Sequence, residues 1–277
     1  MLMLENKTVI VTGSAGGLGE GIAQVCYREG ANVVVADIDG GRAKGVATSL
    51  GIRALAVTCD VRNTEHLSDL IHQSISRFGK LDGLVNNAGI NFVKPFLDTS
   101  AQEWDQLLSV DLRAVFLLSQ LFCREVLKQS GSASIVNISS VHSHAVLPGS
   151  GPYDAAKWGV VGLSKSIAVE LAEKGIRINC ISPGLLNTQI WKDIQAAAPN
   201  ADACAVYWNA NIPIARVIEP LEIGELAAFL LSDRSASITG ANIFADGGMT
   251  SQLISREPYA SRSLTIKSEP DRKASSD

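Results

Sequence analysis

TGSAGGLGEGIAQ, Thr12 to Gln24, decides how the chain is read. It follows directly on the β-branched run TVIVT, Thr8 to Thr12, and opens an amphipathic stretch, so the segment reads as strand, glycine turn and helix. Gly13, Gly17 and Gly19 stand where a dinucleotide loop needs residues without a Cβ. One glycine permits the tight turn and another lets the backbone approach a pyrophosphate. The helix N-terminus behind them offers unpaired N–H groups and a partial positive charge. An isolated glycine turn says little; the strand before it and the helix after it favour the dinucleotide reading.

Outward from this segment, short apolar runs alternate with longer amphipathic stretches as far as about Ala245, the pattern of βαβ units around a parallel sheet. Seven strands are expected: Thr8 to Thr12, Asn32 to Asp37, Arg53 to Cys59, Leu81 to Asn87, Ala133 to Ser139, Ile176 to Ser182 and Asn242 to Asp246. Their nearly continuous hydrophobicity suits strands covered by helices on both faces. No repeat or linker divides the core, so residues 1–250 are expected to form one α/β domain. Within it, about 188–220 reads as short helices and loops over the carboxyl edge of the sheet, where a substrate lid would sit. Residues 251–277 read as a polar, mobile tail.

The chain has 277 residues, 46% of them hydrophobic, enough for a large core. A formal charge of -4 and the lack of a basic stripe argue against a nucleic-acid partner. Cys26, Cys59, Cys123, Cys180 and Cys204 are scattered, without a CxxC pair or metal spacing, and read as reduced thiols. The N-terminus lacks the pattern of a secretion signal, and no stretch reads as long enough to cross a bilayer, so a cytoplasmic protein without a membrane partner is expected.

Asp37 closes the second strand, where a carboxylate can bond the adenosine ribose hydroxyls and repel a 2′-phosphate. Ser14, rather than a basic residue, occupies the loop, and Arg42 is the only nearby cation suited to a 2′-phosphate. The cofactor expectation is therefore NAD in preference to NADP.

TGxxxGxG at Thr12 to Gly19, NNAG at Asn86 to Gly89, YxxxK at Tyr153 to Lys157 and PG at Pro183 and Gly184 occur in this order. Over residues 5 to 250 the chain resembles the short-chain dehydrogenases/reductases. That resemblance implies a single Rossmann domain, a doubly wound parallel seven-stranded sheet in the order 3-2-1-4-5-6-7, and cofactor and substrate together at the carboxyl edge. It implies that Ser14 and Leu18 join the glycines around the cofactor, that Asp60 and Val61 bracket the adenine, and that Asn87 and Gly89 line its ribose. Pro183, Gly184 and Leu186 are implied along the nicotinamide side, with Thr188 on its carboxamide. A homotetramer or homodimer is implied as well, through apolar stripes on the helices after Ala101 and after Tyr153.

Tyr153 and Lys157 lie four apart at the start of a predicted helix and leave the same face. A free tyrosine, with a pKa of roughly 10, is a poor base at neutral pH. A nearby ammonium and an oxidised nicotinamide both favour phenolate, so Tyr153 can take the alcohol proton or return it. Lys157 is implied by the resemblance to hold the nicotinamide ribose. Ser140, thirteen residues before Tyr153, matches the family interval for a substrate-orienting serine, with Ser139 its competitor. No GxSxG elbow supports a hydrolase. Many members carry Asn where this chain has Asp111, in the helix between the fourth and fifth strands; the change bears on a proton relay to Lys157 rather than on hydride transfer.

The expected substrate is a small alcohol or carbonyl compound. His142 and His144 follow Ser140 on the loop that should wall its pocket, and SSVH and FADGGMT resemble glucose 1-dehydrogenases, pointing to a sugar, polyol or related hydroxy compound. Trp191, Trp208, Asn209 and Asn211 offer a stacking surface and hydrogen bonds, or lid packing. The rival enzyme is a 3-oxoacyl-carrier-protein or steroid-type reductase. The rival outside enzymes is a dinucleotide-sensing regulator, which need not retain Ser140, Tyr153 and Lys157 together.

Overall fold

The computed structural model describes residues 2–253. The tail expected over 251–277 falls almost wholly outside the described residues. Strands β1 (Thr8–Thr12), β2 (Asn32–Asp37), β3 (Ala54–Thr58), β4 (Gly83–Asn86), β5 (Ala133–Ile138), β6 (Ile176–Pro183) and β7 (Asn242–Ala245) form one parallel sheet in the order β3-β2-β1-β4-β5-β6-β7. This is the expected order; only strand ends differ, by a residue or two. Between the strands run α1 (Gly17–Arg28), α2 (Gly40–Leu50), α3 (Thr64–Phe78), α4 (Ala101–Leu108), α5 (Ala114–Lys128), α6 (Gly151–Leu171), α7 (Gln189–Ala197), α8 (Ala201–Ala210) and α9 (Pro220–Leu231).

Alternation along each strand explains the unbroken apolar runs. Val9, Val11, Val33 and Val35 face a core built with α1, α2 and α9, through Ile22, Val25, Val46 and Ile223. Ile10, Val34 and Ala36 face the opposite core, with Leu67 and Leu70 of α3 and Leu118, Phe122 and Val126 of α5. Strands β1, β2, β4, β5 and β6 thus bury nearly all of both sets of side chains, while the edge strands β3 and β7 are only partly covered.

Ala101–Lys128 is one helical run of 28 residues, with a π turn at Ser109–Arg113 between α4 and α5. By length and composition it is long and apolar enough to cross a bilayer, which corrects the expectation that no stretch is. Packing accounts for that composition, since Leu118, Phe122, Cys123 and Val126 fill the second core.

Candidate active site

The turn after β1 is stitched to the end of β4. Thr12 Oγ1 accepts the backbone N–H groups of Asn87 and Ala88 at 3.0 and 3.1 Å, and Asn87 Nδ2 donates to the carbonyls of Thr12 and Gly13, both at 2.9 Å. Gly19 packs directly beneath; a Cβ there would lie 2.2 Å from Gly13 O and 2.5 Å from Asn87 Nδ2. Gly17 has φ +57, and a Cβ on it would meet nothing nearer than Thr188 Cγ2 at 3.8 Å. Helix α1 begins there with no side-chain cap. An uncapped helix start under an open glycine turn, with Thr188 opposite, fits the pyrophosphate of a dinucleotide.

The remaining residues expected around the cofactor occupy varied roles. Ser14 is fully buried and its hydroxyl donates to Val11 O at 2.7 Å, so it shapes the turn from behind. Asp37 accepts the Ala15 N–H at 2.9 Å and the Asp39 N–H at 3.0 Å, which fixes its carboxylate beside the loop. The Arg42 guanidinium also lies there, with Nη2 2.5 Å from the place a Cβ on Gly16 would take. Asp60 is paired with Arg62 at 2.6 Å, and this hydrogen-bonded guanidinium holds its carboxyl below the usual range. Val61 packs on the second core, Leu18 and Leu186 on the first. Pro183 ends β6, and Gly184 lets that end approach β7 closely, since a Cβ would sit 2.9 Å from Asp246 Cα.

Helix α6 carries Tyr153 and Lys157 in its first two turns, started by Pro152. Lys157 Nζ lies 5.3 Å from the Tyr153 ring centroid and donates to Ile138 O at 3.3 Å. Its ion-pair partner is Asp111, with Oδ2 at 3.1 Å and both side chains buried. Burial pushes the ammonium down, but the Asp111 carboxylate and Tyr153 outweigh it, and Lys157 stands above its ordinary value. The π turn brings Asp111 inward, where Oδ1 accepts the Ile90 N–H at 2.8 Å. Gly89, expected along the ribose, lies against the ion pair, because a Cβ there would come within 2.9 Å of Asp111 Oδ2.

Ser140 and Ser139 separate cleanly. The Ser139 hydroxyl donates to Lys157 O at 3.0 Å and belongs to the scaffold. Ser140, at the end of β5, accepts the His142 N–H at 3.2 Å through Oγ, which leaves its hydroxyl hydrogen free to donate outward. The His142 ring stands edge-on to Tyr153 with centroids 5.2 Å apart, so the loop links Ser140 to the phenol. His144 is exposed and meets Phe244 at 5.5 Å. Trp191 is buried in α7, while α8 carries Trp208 and Asn209.

Several supports have no local signal in the sequence. Asp154 pairs with His142. Behind the loop, Ser143 meets Ser182 at 3.1 Å, and Ser182 donates to Asn242 at 2.7 Å. Under the sheet, Asn86 donates to Asn137 and Asn137 to Ser164, tying β4, β5 and α6 together. The sole available signal was the polar residue in each otherwise apolar run.

Comparison with known proteins agrees with this geometry. The family described as enoyl-(acyl carrier protein) reductase matches residues 13–250. The oxidoreductase UcpA of Salmonella typhimurium is 38% identical over 253 residues, 89% of this chain and 95% of its own. A short-chain type dehydrogenase/reductase from Mycobacterium marinum superposes with a TM-score of 0.84 at 30% identity, covering 91% of this chain and 98% of that one. A 3-ketoacyl-(acyl-carrier-protein) reductase from Brucella melitensis, complexed with NADH, gives 0.81 at 31% identity over 89% and 99% of the two chains. The chain is an oxidoreductase with a nicotinamide-binding Rossmann fold, and it belongs to the short-chain dehydrogenase/reductase family.

Proposed function

We propose that the protein interconverts a small secondary alcohol and its carbonyl compound with NAD, through Tyr153, Lys157 and Ser140, the alcohol being a sugar, polyol or related hydroxy compound. One observation carries the reading: a buried lysine, held charged by Asp111, stands over the ring of a tyrosine at the mouth of the sheet. Bound nicotinamide supplies the site that accepts or returns hydride. Tyr153 takes the proton from the substrate hydroxyl, its phenolate favoured by the Lys157 ammonium. Ser140 donates a hydrogen bond to the reacting oxygen and stabilises charge there. Lys157 holds the cofactor ribose, Thr188 its carboxamide, and Asp111 keeps Lys157 protonated. The segment 188–220 serves as a lid over this edge.

NAD is favoured by the Asp37 carboxylate fixed beside the loop. Assembly into a homotetramer or homodimer is supported by a groove of about 660 Å³ between α4, α5 and α6, lined by Leu108, Leu112, Phe116 and Leu163. Cytoplasmic residence goes with this reading. The experiment is a screen of sugars, polyols and simple alcohols with NAD and NADP, followed by reduced-nicotinamide absorbance. Tyr153→Phe should abolish turnover and leave NAD affinity nearly intact; unchanged rates would overturn the assignment.

A second reading, reduction of a 3-oxoacyl thioester with NADPH, has one observation in its favour. Arg42 places a guanidinium against the turn, where it can receive a 2′-phosphate. An acetoacetyl thioester with NADPH tests it directly.

A further inference from the structure

Asp154, on the same helix turn as Tyr153, is a charged group to which the mechanism above gives no role. Nδ1 of His142 lies 2.5 Å from its Oδ1, and each side chain keeps only 14% of its surface exposed. A carboxylate only accepts, so Nδ1 carries the hydrogen and Asp154 receives it. With Nδ1 committed in this way, a neutral imidazole has its lone pair on Nε2. Among the described residues no protein group bonds that atom. The ring itself is fixed between Ser140, through its backbone N–H, and Tyr153, through the edge contact.

We infer that His142, its tautomer set by Asp154, accepts at Nε2 a hydrogen bond from a second hydroxyl of the substrate, which makes vicinal diols and polyols the preferred class. His142 is then a specificity residue and Asp154 a positioning residue. Charge supports the choice of group. The pair is negative with the ring neutral and zero with the ring protonated, so it offers no net positive charge to a carboxylate. Beside its reacting carbon a 3-oxoacyl thioester brings only a carbonyl acceptor, which cannot satisfy an acceptor nitrogen. A hydroxyl neighbouring the reacting carbon can.

The inference rests on the oxidoreductase reading, and the test separates the two. Butan-2-ol, butane-2,3-diol and 3-hydroxybutyrate share a short chain and differ in the neighbouring group. Wild type should prefer the diol over both others by about tenfold or more in kcat/KM. Asp154→Ala and His142→Phe should bring that ratio to about one. Asp154→Asn, whose amide oxygen still accepts from Nδ1–H, should restore most of it. Nitrogen NMR of the full chain gives a readout apart from activity: His142 should be the Nδ1–H tautomer in wild type and in Asp154→Asn, and a mixture in Asp154→Ala. Turnover of butan-2-ol with no diol preference, a preference for the hydroxy acid, or an Nε2–H tautomer in wild type would overturn the inference and leave the oxidoreductase reading standing. No turnover of these three or of the wider alcohol and sugar panel would overturn both.

Discussion

Lys157 and Asp111 form a buried ion pair, Nζ to Oδ2 at 3.1 Å, between α6 and the π turn that joins α4 to α5. Neither charge is affordable alone in that position. Asp111→Leu leaves the ammonium uncompensated and should lower stability by about 3–5 kcal/mol, measured by urea unfolding.

Asp111→Asn keeps an acceptor for the Ile90 N–H and removes the charge. Burial already pushes Lys157 down, and without the carboxylate that effect should win and carry the amine below its ordinary value. The alkaline limb of the pH profile for kcat should then move to lower pH. In wild type the folded lysine titrates above its unfolded value of about 10.4. Its contribution to stability is therefore full below that value and is lost as pH rises through the folded one. The variant should lose this alkaline dependence, which thermal melts across pH will read.

The cofactor turn separates two glycines that look equivalent in sequence. Gly19→Ala drives a methyl into Gly13 O and Asn87 Nδ2, and should cost about 1–3 kcal/mol and most NAD affinity. Gly17→Ala makes only ordinary contact with Thr188 Cγ2 at 3.8 Å but strains a positive φ, a cost of about 1–2 kcal/mol. Calorimetric titration with NAD and unfolding curves for both variants check the contrast.

Asp37 and Arg42 set opposite charges beside the glycine turn, and a 2′-phosphate brought there would be repelled by the first and attracted by the second. Asp37→Asn retains an acceptor for Ala15 N–H and removes the repulsion, so the NADP to NAD ratio of kcat/KM should rise by about 10- to 100-fold. A further Arg42→Ala change should reverse most of that gain.

Cysteine labelling offers a test of the core. Burial pushes Cys26 and Cys59 up to about 12, and Cys123 and Cys180 up to about 11. In the native protein a thiol reagent should label Cys204 alone, which is partly exposed, and all five cysteines should react in urea.

Strand order, sheet coverage and the glycine turn were legible because each is written locally, as an apolar run, a β-branched run or a glycine at fixed spacing. The interval to Tyr153 favours Ser140 over Ser139 in the sequence, and in the fold the hydroxyl of Ser139 turns to the Lys157 carbonyl. Ser14 was read as part of the cofactor loop, yet its side chain is turned inward, because a hydroxyl after a tight turn can reach back to Val11 O. The membrane-length apolarity of Ala101–Lys128 is masked in the sequence by the charged residues that interrupt the run. Asp154 was invisible as a partner of His142, since the two stand twelve positions apart in the chain and only folding sets the distance.

The π turn at Ser109–Arg113 acts as a phase adjuster in a continuous helix. A π turn holds one residue more than an α turn, so excising one from it would let the helix close into a regular spiral. Leu118 and Phe122 would keep their face to the sheet, and Asp111 would lose the bulge that brings it to the lysine. A single-residue deletion there would spare the secondary structure and still strip the amine of its counter-ion.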